Sequence, residues 1–571
     1  MQYRFYAAAL CGLMLAFLSC RKEKQDHQYD NRPVQDARGN SLLRLVNLVG
    51  HNQVLAGGDT LTNYTAYPPG YAGEELYPGT PFFPENGRLG QTWSVPRQFF
   101  HAGKLQLMTE RFAVQGARDT LALDVKEDGT AAKDIFLLQP EWVADKRLPR
   151  IVELPRSVTA PAKAGYFKVR LVNLAQAIRP QSEPIDDLTK PLTLAFADGT
   201  PVAPATSAVG VGKASEYVEL PYGTYQFKVL SPEGYQVTAG QGSSLEFTSI
   251  LDPATATLTK GAIGRPHTVS THLTYSPVRT FQPGGVYTIV VATDQFTIPY
   301  YNGQSGETTV AYMNAFRILS DISEPANLNY ARIQAVNALP GEGAVSVQLD
   351  GQNLAQLGFG KPSEYALRIR GTVRIDATDA KGTVIASANA DLEPNMNYTA
   401  WVFRGANGKA AINVVSNNLS GGWYVGGNGA DGSLDRRQHK YPFHIRFLNF
   451  CEDLPYVSFT EDNGQPFGSE SSINLQPGVA ATNVPYIRLF QQKEAFQIMA
   501  YRSSPGVVPG SWIREVPVLK GADFIARKAL YVRGELPNLE PGVFTVALIG
   551  KLNGASPEAQ KARMIIVKHT K

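Results

Sequence analysis

The chain has 571 residues, a net charge of +4 and only 18% charged residues. That length exceeds one hydrophobic core and implies several domains, while charge so weak and dispersed leaves no footprint for nucleic acid. The three cysteines, Cys11, Cys20 and Cys451, exclude a disulfide-built scaffold.

In chain order, Arg4 supplies a positive start, residues 5–18 are almost wholly apolar, and Leu18-Ser19-Cys20 closes the run. A run this short does not span a bilayer as an ordinary helix and has signal-peptide proportions, so 1–19 reads as a signal peptide. A cysteine directly after a small residue there resembles a bacterial lipoprotein box, which implies cleavage before Cys20 and a lipid on its sulfur. Residues 20–40 then form a polar, flexible tether. Its opening, Arg21-Lys22-Glu23-Lys24-Gln25-Asp26, resembles the surface-export tether of Bacteroidetes-type lipoproteins. Cys11 leaves with the signal, and Cys451 beside Phe450 reads as a small buried hydrophobe.

Beyond the tether one phrase recurs: Arg44-Leu45-Val46-Asn47, Arg170-Leu171-Val172-Asn173, Gln334-Ala335-Val336-Asn337 and Arg446-Phe447-Leu448-Asn449. Self-similarity of this kind marks an array of modules. Residues 41–147 are module 1, with strands expected at 42–47, 105–108 and 134–138 and an aromatic, Pro-rich loop at 63–88. Residues 148–165, with Pro149, Pro155 and Pro161, read as a semi-rigid linker. Module 2 is 166–325, with strands at 167–173, 192–196, 217–220, 225–229 and 286–291, an Asp198-Gly199 turn, and a Thr/Ser-rich insertion at 241–281 that is either a hairpin or a loop. Module 3 is 328–420, with strands at 332–337, 345–349, 365–370, 373–377 and 397–403. Its Asp350-Gly351 supplies the positive φ values of a tight hairpin. A Gly-rich linker, 421–440, precedes module 4, 441–571, with strands at 443–449, 486–490, 496–501 and 543–548. Short alternating runs between Gly, Pro, Asn and Asp give an all-β chain: a tandem array of about four immunoglobulin-like antiparallel β-sandwiches after a lipoprotein signal peptide. The repeated Asn reads as a turn residue ending each first strand.

Modules 2 and 3 resemble a bacterial domain-of-unknown-function family of exported immunoglobulin-like repeats. The resemblance rests on the Asn-ended first strand, the Asp-Gly hairpin, a Tyr followed six residues later by Gly-Thr (Tyr217 to Gly223-Thr224, Tyr365 to Gly371-Thr372), and a closing Tyr-Thr strand (Tyr287-Thr288, Tyr398-Thr399). The Tyr-to-Gly-Thr spacing is not evident in modules 1 and 4. The family brings no assigned catalytic residues.

No phosphate loop, nucleophile elbow, zinc motif or cysteine pair occurs, so no catalytic residue, metal or cofactor is assigned. His267 and His272 have the wrong spacing for a metal face, and Glu461-Asp462-Asn463-Gly464 and Asp186-Asp187 read as turns. The candidate ligand-binding aromatics are Tyr64, Tyr67, Tyr71, Tyr77, Phe82 and Phe83 of the module 1 loop, which either present flat faces to a partner or cap their own module. Trp423 and Tyr424 of the Gly-rich linker either stack on a glycan or pin modules 3 and 4 together; Trp401 and Trp512 read as core. Asp59-Thr60-Leu61 and Asp119-Thr120-Leu121 resemble a Bacteroidetes O-glycosylation acceptor, making Thr60 and Thr120 modification candidates. The expectation is a non-enzymatic, lipid-anchored outer-membrane protein displayed at the cell surface. It would bind, adhere or scaffold, with another envelope protein or a glycan as partner. The alternatives are a glycan-binding lipoprotein beside an uptake system and a fimbria-like subunit in which a terminal strand, near Leu42 or Met564, completes a neighbour.

Overall fold

The structure is a computed structural model. It describes residues 39–63, 79–84, 87–113, 116–127, 129–138, 148–176, 190–234, 241–242, 249–252, 257–260, 268–269, 278–299, 308–405, 407–417, 443–461, 464–467, 470–481, 485–488, 497–530, 540, 542–552 and 557–571. The signal segment, Cys20, most of the tether and the Gly-rich linker lie outside this set. The chain divides into two compact units, Met1–Leu137 and Leu138–Lys571. It is all-β: the described helical turns are 3-10 turns of at most four residues.

In the first unit the strands are β1 (Asn40–Asn47), β2 (Gln53–Ala56), β3 (Asp59–Thr60), β4 (Thr92–Pro96), β5 (Lys104–Ala113), β6 (Gly116–Lys126) and β7 (Lys133–Leu137). β1 lies between antiparallel β4 and parallel β7, and a second sheet runs β3-β2-β5-β6. Leu43 and Leu45 of β1 are buried, as are Val54, Leu105, Leu107 and Leu123 of the second sheet.

The second unit opens with β8 (Ile151–Pro155), so part of the expected linker is strand. Next come β9 (Tyr166–Leu174), β10 (Thr193–Ala195), β11 (Lys213–Ala214), β12 (Val218–Pro221), β13 (Gly223–Tyr225) and β14 (Lys228–Leu230). The insertion holds a nested ribbon: β15 (Gln241–Gly242) pairs with β18 (Thr268–Val269), and β16 (Ser249–Asp252) with β17 (Thr257–Lys260). β19 (Arg279–Phe281) pairs with β13. β20 (Val286–Pro299) runs parallel to β9 as far as Ala292 and continues beyond it against β21 (Thr308–Ser320), a long hairpin that the sequence pattern did not announce. Phe167, Tyr225, Phe227, Phe281 and Tyr287 form the aromatic heart of this module, with Phe167 stacked on Phe281 at 4.8 Å.

Module 3 is the most regular. Its strands are β22 (Tyr330–Asn337), β23 (Val345–Leu349), β24 (Gln352–Leu357), β25 (Ala366–Ile369), β26 (Gly371–Thr378), β27 (Val384–Leu392), β28 (Asn397–Arg404) and β29 (Ala410–Ser416). They form two sheets, β25-β22-β28-β29 and β24-β23-β26-β27, around one aliphatic core. Asp350 (φ 51°) and Gly351 (φ 76°) make the expected tight turn. Module 4 repeats the plan with β30 (Phe443–Asn449), β31 (Val457–Glu461), β32 (Gln465–Pro466), β33 (Ile487–Arg488), β34 (Gln497–Ser504), β35 (Val507–Trp512), β36 (Leu519–Lys520), β37 (Gly542–Ile549) and β38 (Arg563–Lys568). Its sheets run β33-β30-β37-β38 and β32-β31-β34-β35. The strand that carries each recurring phrase pairs parallel with a later strand (β1·β7, β9·β20, β22·β28, β30·β37). The terminal strands named for strand exchange pair within their own sheets: β1 with β4 and β7, β38 with β37.

The alternation expected for half-buried strands fails where it matters most. β30 and β37 are buried at every residue, and β22 and β28 at all but one. Strands covered on both faces have no need to alternate. The second face of these sheets is therefore a packing surface too, and it meets a neighbouring module.

Candidate functional site

The repeated Asn is more than a surface turn. Asn173, Asn337 and Asn449 are fully buried. Each donates its amide to two loop carbonyls: Asn173 to Lys190 (3.1 Å) and Val209 (2.9 Å), Asn337 to Gly343 (3.3 Å) and Leu357 (3.0 Å), Asn449 to Leu454 (2.8 Å) and Leu475 (3.1 Å). Each side-chain oxygen accepts the N–H two residues on, from Ala175, Leu339 and Cys451, which is an Asx turn. Asn47 makes the same clamp with His51 and Gly90, its oxygen accepting from His51 N. The turn reading holds; the side chain also clamps the loops that connect strands of the two sheets.

Three residues before each clamp, the side chain points to the opposite face. Arg44, Arg170, Gln334 and Arg446 lie in register with Asp134, Thr288, Thr399 and Thr545 of the parallel strand. Two further positions complete a layer in modules 2 to 4: a tyrosine (Tyr217, Tyr365, Tyr486) and the residue directly after the last strand (Asp321, Asn417, His569). In module 1, Arg44 makes a two-point ion pair with Asp134 (2.8 and 2.9 Å). In module 2, Arg170 donates to Thr288 (2.9 Å) and lies over the Tyr217 ring, while Tyr217 and Thr288 both donate to Asp321 (2.8 and 2.6 Å). Burial, then the Asp321 charge, pushes the Tyr217 hydroxyl up to about 12.

The layers of modules 3 and 4 face and interlock. Gln334 (3.2 Å) and Tyr365 (2.9 Å) donate to His569 Nδ1, so the proton sits on Nε2 and is donated to Thr545 (2.7 Å). Asn417 donates to Tyr365 (3.0 Å) and Thr399 (2.8 Å) and accepts from Arg446, which also donates to Thr545 (3.1 Å) and the Ser416 carbonyl (2.6 Å). Arg332 stacks over the Tyr365 and Tyr222 rings. Burial first, then the Arg446 and Arg332 charges, holds His569 well below the usual imidazole range, and burial pushes the Tyr365 hydroxyl up. Beside this network lies an apolar seam built from equivalent positions: Val336, Ala338, Trp401, Phe403 and Val415 of module 3 meet Leu448, Phe450, Ala547, Ile549 and Val567 of module 4. Trp401 stacks on Phe450 at 4.8 Å.

The last residues extend the junction to module 2. Lys571 exchanges backbone hydrogen bonds with Thr224 and Gln226 and bonds Glu364 through its amine (3.1 Å). Lys228 and Glu540, both fully buried, pair at 3.2 Å, and burial brings the Lys228 amine down to about 8 against the opposing pull of Glu540. The Tyr365, Thr399 and Thr545 hydroxyls, the Gln334 and Asn417 amides and the His569 imidazole are spent on one another in a buried seam. The arrangement holds modules 3 and 4 to one another. Among the described residues no group of three His, Cys, Asp or Glu is placed to hold a metal.

Of the sequence candidates, Phe82 packs on Phe99 (4.9 Å), and Phe83 is buried against Trp93 (5.3 Å). That part of the loop caps its own module, and Phe83 presents no free face. Tyr64, Tyr67, Tyr71, Tyr77, Trp423, Tyr424, Cys20, His267, His272 and Asp186-Asp187 lie outside the described residues. Thr60 and Thr120 are exposed on β3 and β6, the two edges of one sheet. Cys451 is buried and its thiol is raised to about 12, chiefly by burial. Trp401, expected in a sandwich core, belongs to the seam between modules, and Trp512 is half-buried. The sequence reading missed Tyr365, Asn417, Tyr486 and His569 as one layer. The available signal was the unbroken apolar run in the strands that pair with two of the recurring phrases, Ala400-Trp401-Val402-Phe403 and Val546-Ala547-Leu548-Ile549.

No family model and no curated protein matches the chain. A solved structure from Bacteroides ovatus ATCC 8483, provisionally named a cell adhesion protein, aligns at 9% identity over 44% of this chain and 96% of its own, with a TM-score of 0.13. A likeness that low carries no argument here.

Proposed function

We propose that the protein is a lipid-anchored component of the outer membrane, displayed at the cell surface, that acts as a non-catalytic binding, adhesion or scaffolding array. The observation that carries this reading is the repeated polar layer. In modules 2 to 4 the same positions are used to hold strands together, and between modules 3 and 4 they hold one module to the next. A chain that spends its buried polar groups on spacing and orienting modules is built to present surfaces, and its specificity then belongs to loops that differ between copies. The Leu18-Ser19-Cys20 ending of the apolar leader supports the anchor, and the resemblance of modules 2 and 3 to exported immunoglobulin-like repeats supports the location.

Two experiments test this. Cys20→Ala is expected to move the protein from the membrane pellet to the soluble fraction; a variant that still sediments with membranes sinks the anchor. Cells lacking the protein are expected to adhere less to one another or to a glycan-coated surface than cells carrying it. Equal adherence on every surface rejects the adhesive role, and retardation of the protein in one polysaccharide gel would identify a glycan as the ligand.

A further inference from the structure

Module 2 is held to modules 3 and 4 in a different way from that in which those two hold each other. The seam of modules 3 and 4 is apolar along one side; their described contacts with module 2 are mostly polar. β13 pairs with β19 on one edge. On its other edge lies Lys571, whose N–H donates to the Thr224 carbonyl (3.3 Å) and whose carbonyl accepts from Gln226 N–H (2.9 Å). Two such bonds flanking Tyr225 form one rung of a parallel ladder. The Lys571 amine reaches Glu364 of module 3 (3.1 Å) and lies over the Phe196 ring of module 2. Two residues earlier, His569 is fixed in the layer of modules 3 and 4 by its bonds with Tyr365 and Thr545. Residues 569–571 therefore cross from that layer to module 2. Beside them Lys228 of module 2 meets Glu540 (3.2 Å), which Lys568 also approaches (3.7 Å). Leu530 packs on Gly199, where a Cβ would overlap it.

We propose that residues 569–571 are a releasable strap: they close module 2 onto modules 3 and 4, and module 2 turns away when the strap leaves β13. A buried ion pair costs in desolvation nearly what it returns, so Lys228 and Glu540 mark the docked position without holding it tightly. Polar contacts between domains of one chain are where relative motion is expected. A pivot is also in place. Glu324 is tied to module 2 by Tyr287 (2.7 Å) and Arg279 (3.3 Å), and Asn327 is tied to Tyr330 of module 3 (2.9 and 2.8 Å). Pro325 and Ala326 alone lie between those two anchors, and a few residues are enough to absorb a domain rotation. The strap gives module 2 and its insertion two settings against modules 3 and 4, whatever surface the chain binds.

The test is amine labelling of the purified full-length chain at one fixed pH, read at Lys228 by peptide mass spectrometry. The Lys228 side chain has no exposed surface when docked, so its labelling rate follows the released fraction. Alkylation of Cys451, buried in the module 4 core, and hydrogen exchange along β9 and β20 show whether the modules themselves stay folded. Lys571→Pro removes the N–H given to Thr224; Lys571→Ala keeps both main-chain bonds and loses only the amine. Lys571→Pro is expected to raise Lys228 labelling about fivefold to tenfold, the worth of one such hydrogen bond. Lys571→Ala is expected to raise it about twofold or less, because the ion pair with Glu364 is exposed. Adding Leu530→Ala to Lys571→Pro is expected to raise it further, with Cys451 alkylation and the exchange of β9 and β20 unchanged. Equal Lys228 labelling in the wild type and the double variant, a rise that only follows Cys451 alkylation, or an equal rise in Lys571→Ala would each overturn the strap.

Discussion

Asn337 shows why a short polar side chain can recur in a hydrophobic setting. Its amide donates to the Gly343 and Leu357 carbonyls and its oxygen accepts from Leu339 N, so all three bonds are made without water. Asn337→Asp keeps the shape but turns an acceptor toward two carbonyls. The expected loss is about 3 kcal/mol or more, larger than for Asn337→Ala, because a buried group left against the wrong partner costs about 1–3 kcal/mol each time. Urea denaturation of the two variants checks the order, and an Asp variant as stable as the Ala variant would remove the clamp argument. His569 gives a pH dependence. It is buried neutral, with burial and then the Arg446 and Arg332 charges opposing its protonation. Its folded affinity for a proton is below that of the unfolded chain, so the stability it contributes is complete above about pH 6.5 and is lost on acidification. The slope from one such group is at most about 1.4 kcal/mol per pH unit. His569→Asn, which copies Asn417 of module 3, is expected to flatten the dependence of the urea midpoint between pH 7 and pH 5; an unchanged slope assigns it to other groups.

At the scale of elements, turn chemistry was the most legible part of the sequence. Asp350 and Gly351 both adopt positive φ, and a Cβ at Gly351 would meet nothing within 4 Å. The cost of Gly351→Val is then purely conformational, about 1 kcal/mol or more, and is read as a lowered thermal midpoint. A Val variant with an unchanged midpoint means that the turn has another form in solution. The recurring phrase, the closing strands and the hairpin of module 3 were readable because Gly, Asn and Asp punctuate them. β27 and β29 were not: Ala, Ser and Asn give no strong period, and their pairing is set by β26 and β28 rather than by their own residues. The polar layer was hidden for another reason. Gln334 meets His569 across 235 positions of chain, and Tyr365 meets it across 204. Nothing local distinguishes such a Tyr or His from a surface residue. What local sequence did carry was the unbroken apolar run in β28 (Ala400-Trp401-Val402-Phe403) and in β37 (Val546-Ala547-Leu548-Ile549), the mark of strands covered on both faces.

For the molecule as a whole, that double covering decides how the second unit behaves. A string of beads on linkers would unfold module by module. Modules 3 and 4 instead share a seam in which equivalent residues of each supply the contact, so neither first-strand sheet is covered until the other is folded. Trp401 is the largest side chain in that seam, fully buried and stacked on Phe450. Trp401→Ala removes it from the interface while leaving the module 3 core, formed from the opposite face of β28, in place. A buried Trp→Ala change costs about 3–5 kcal/mol, and here the loss falls on the coupling between modules. Scanning calorimetry is expected to resolve one shared transition of modules 3 and 4 into two, the earlier at lower temperature. A single transition merely shifted downward would mean that the polar network of Arg446, Asn417, Tyr365 and His569 alone keeps the two modules cooperative, and combining Trp401→Ala with His569→Asn would then be needed to part them.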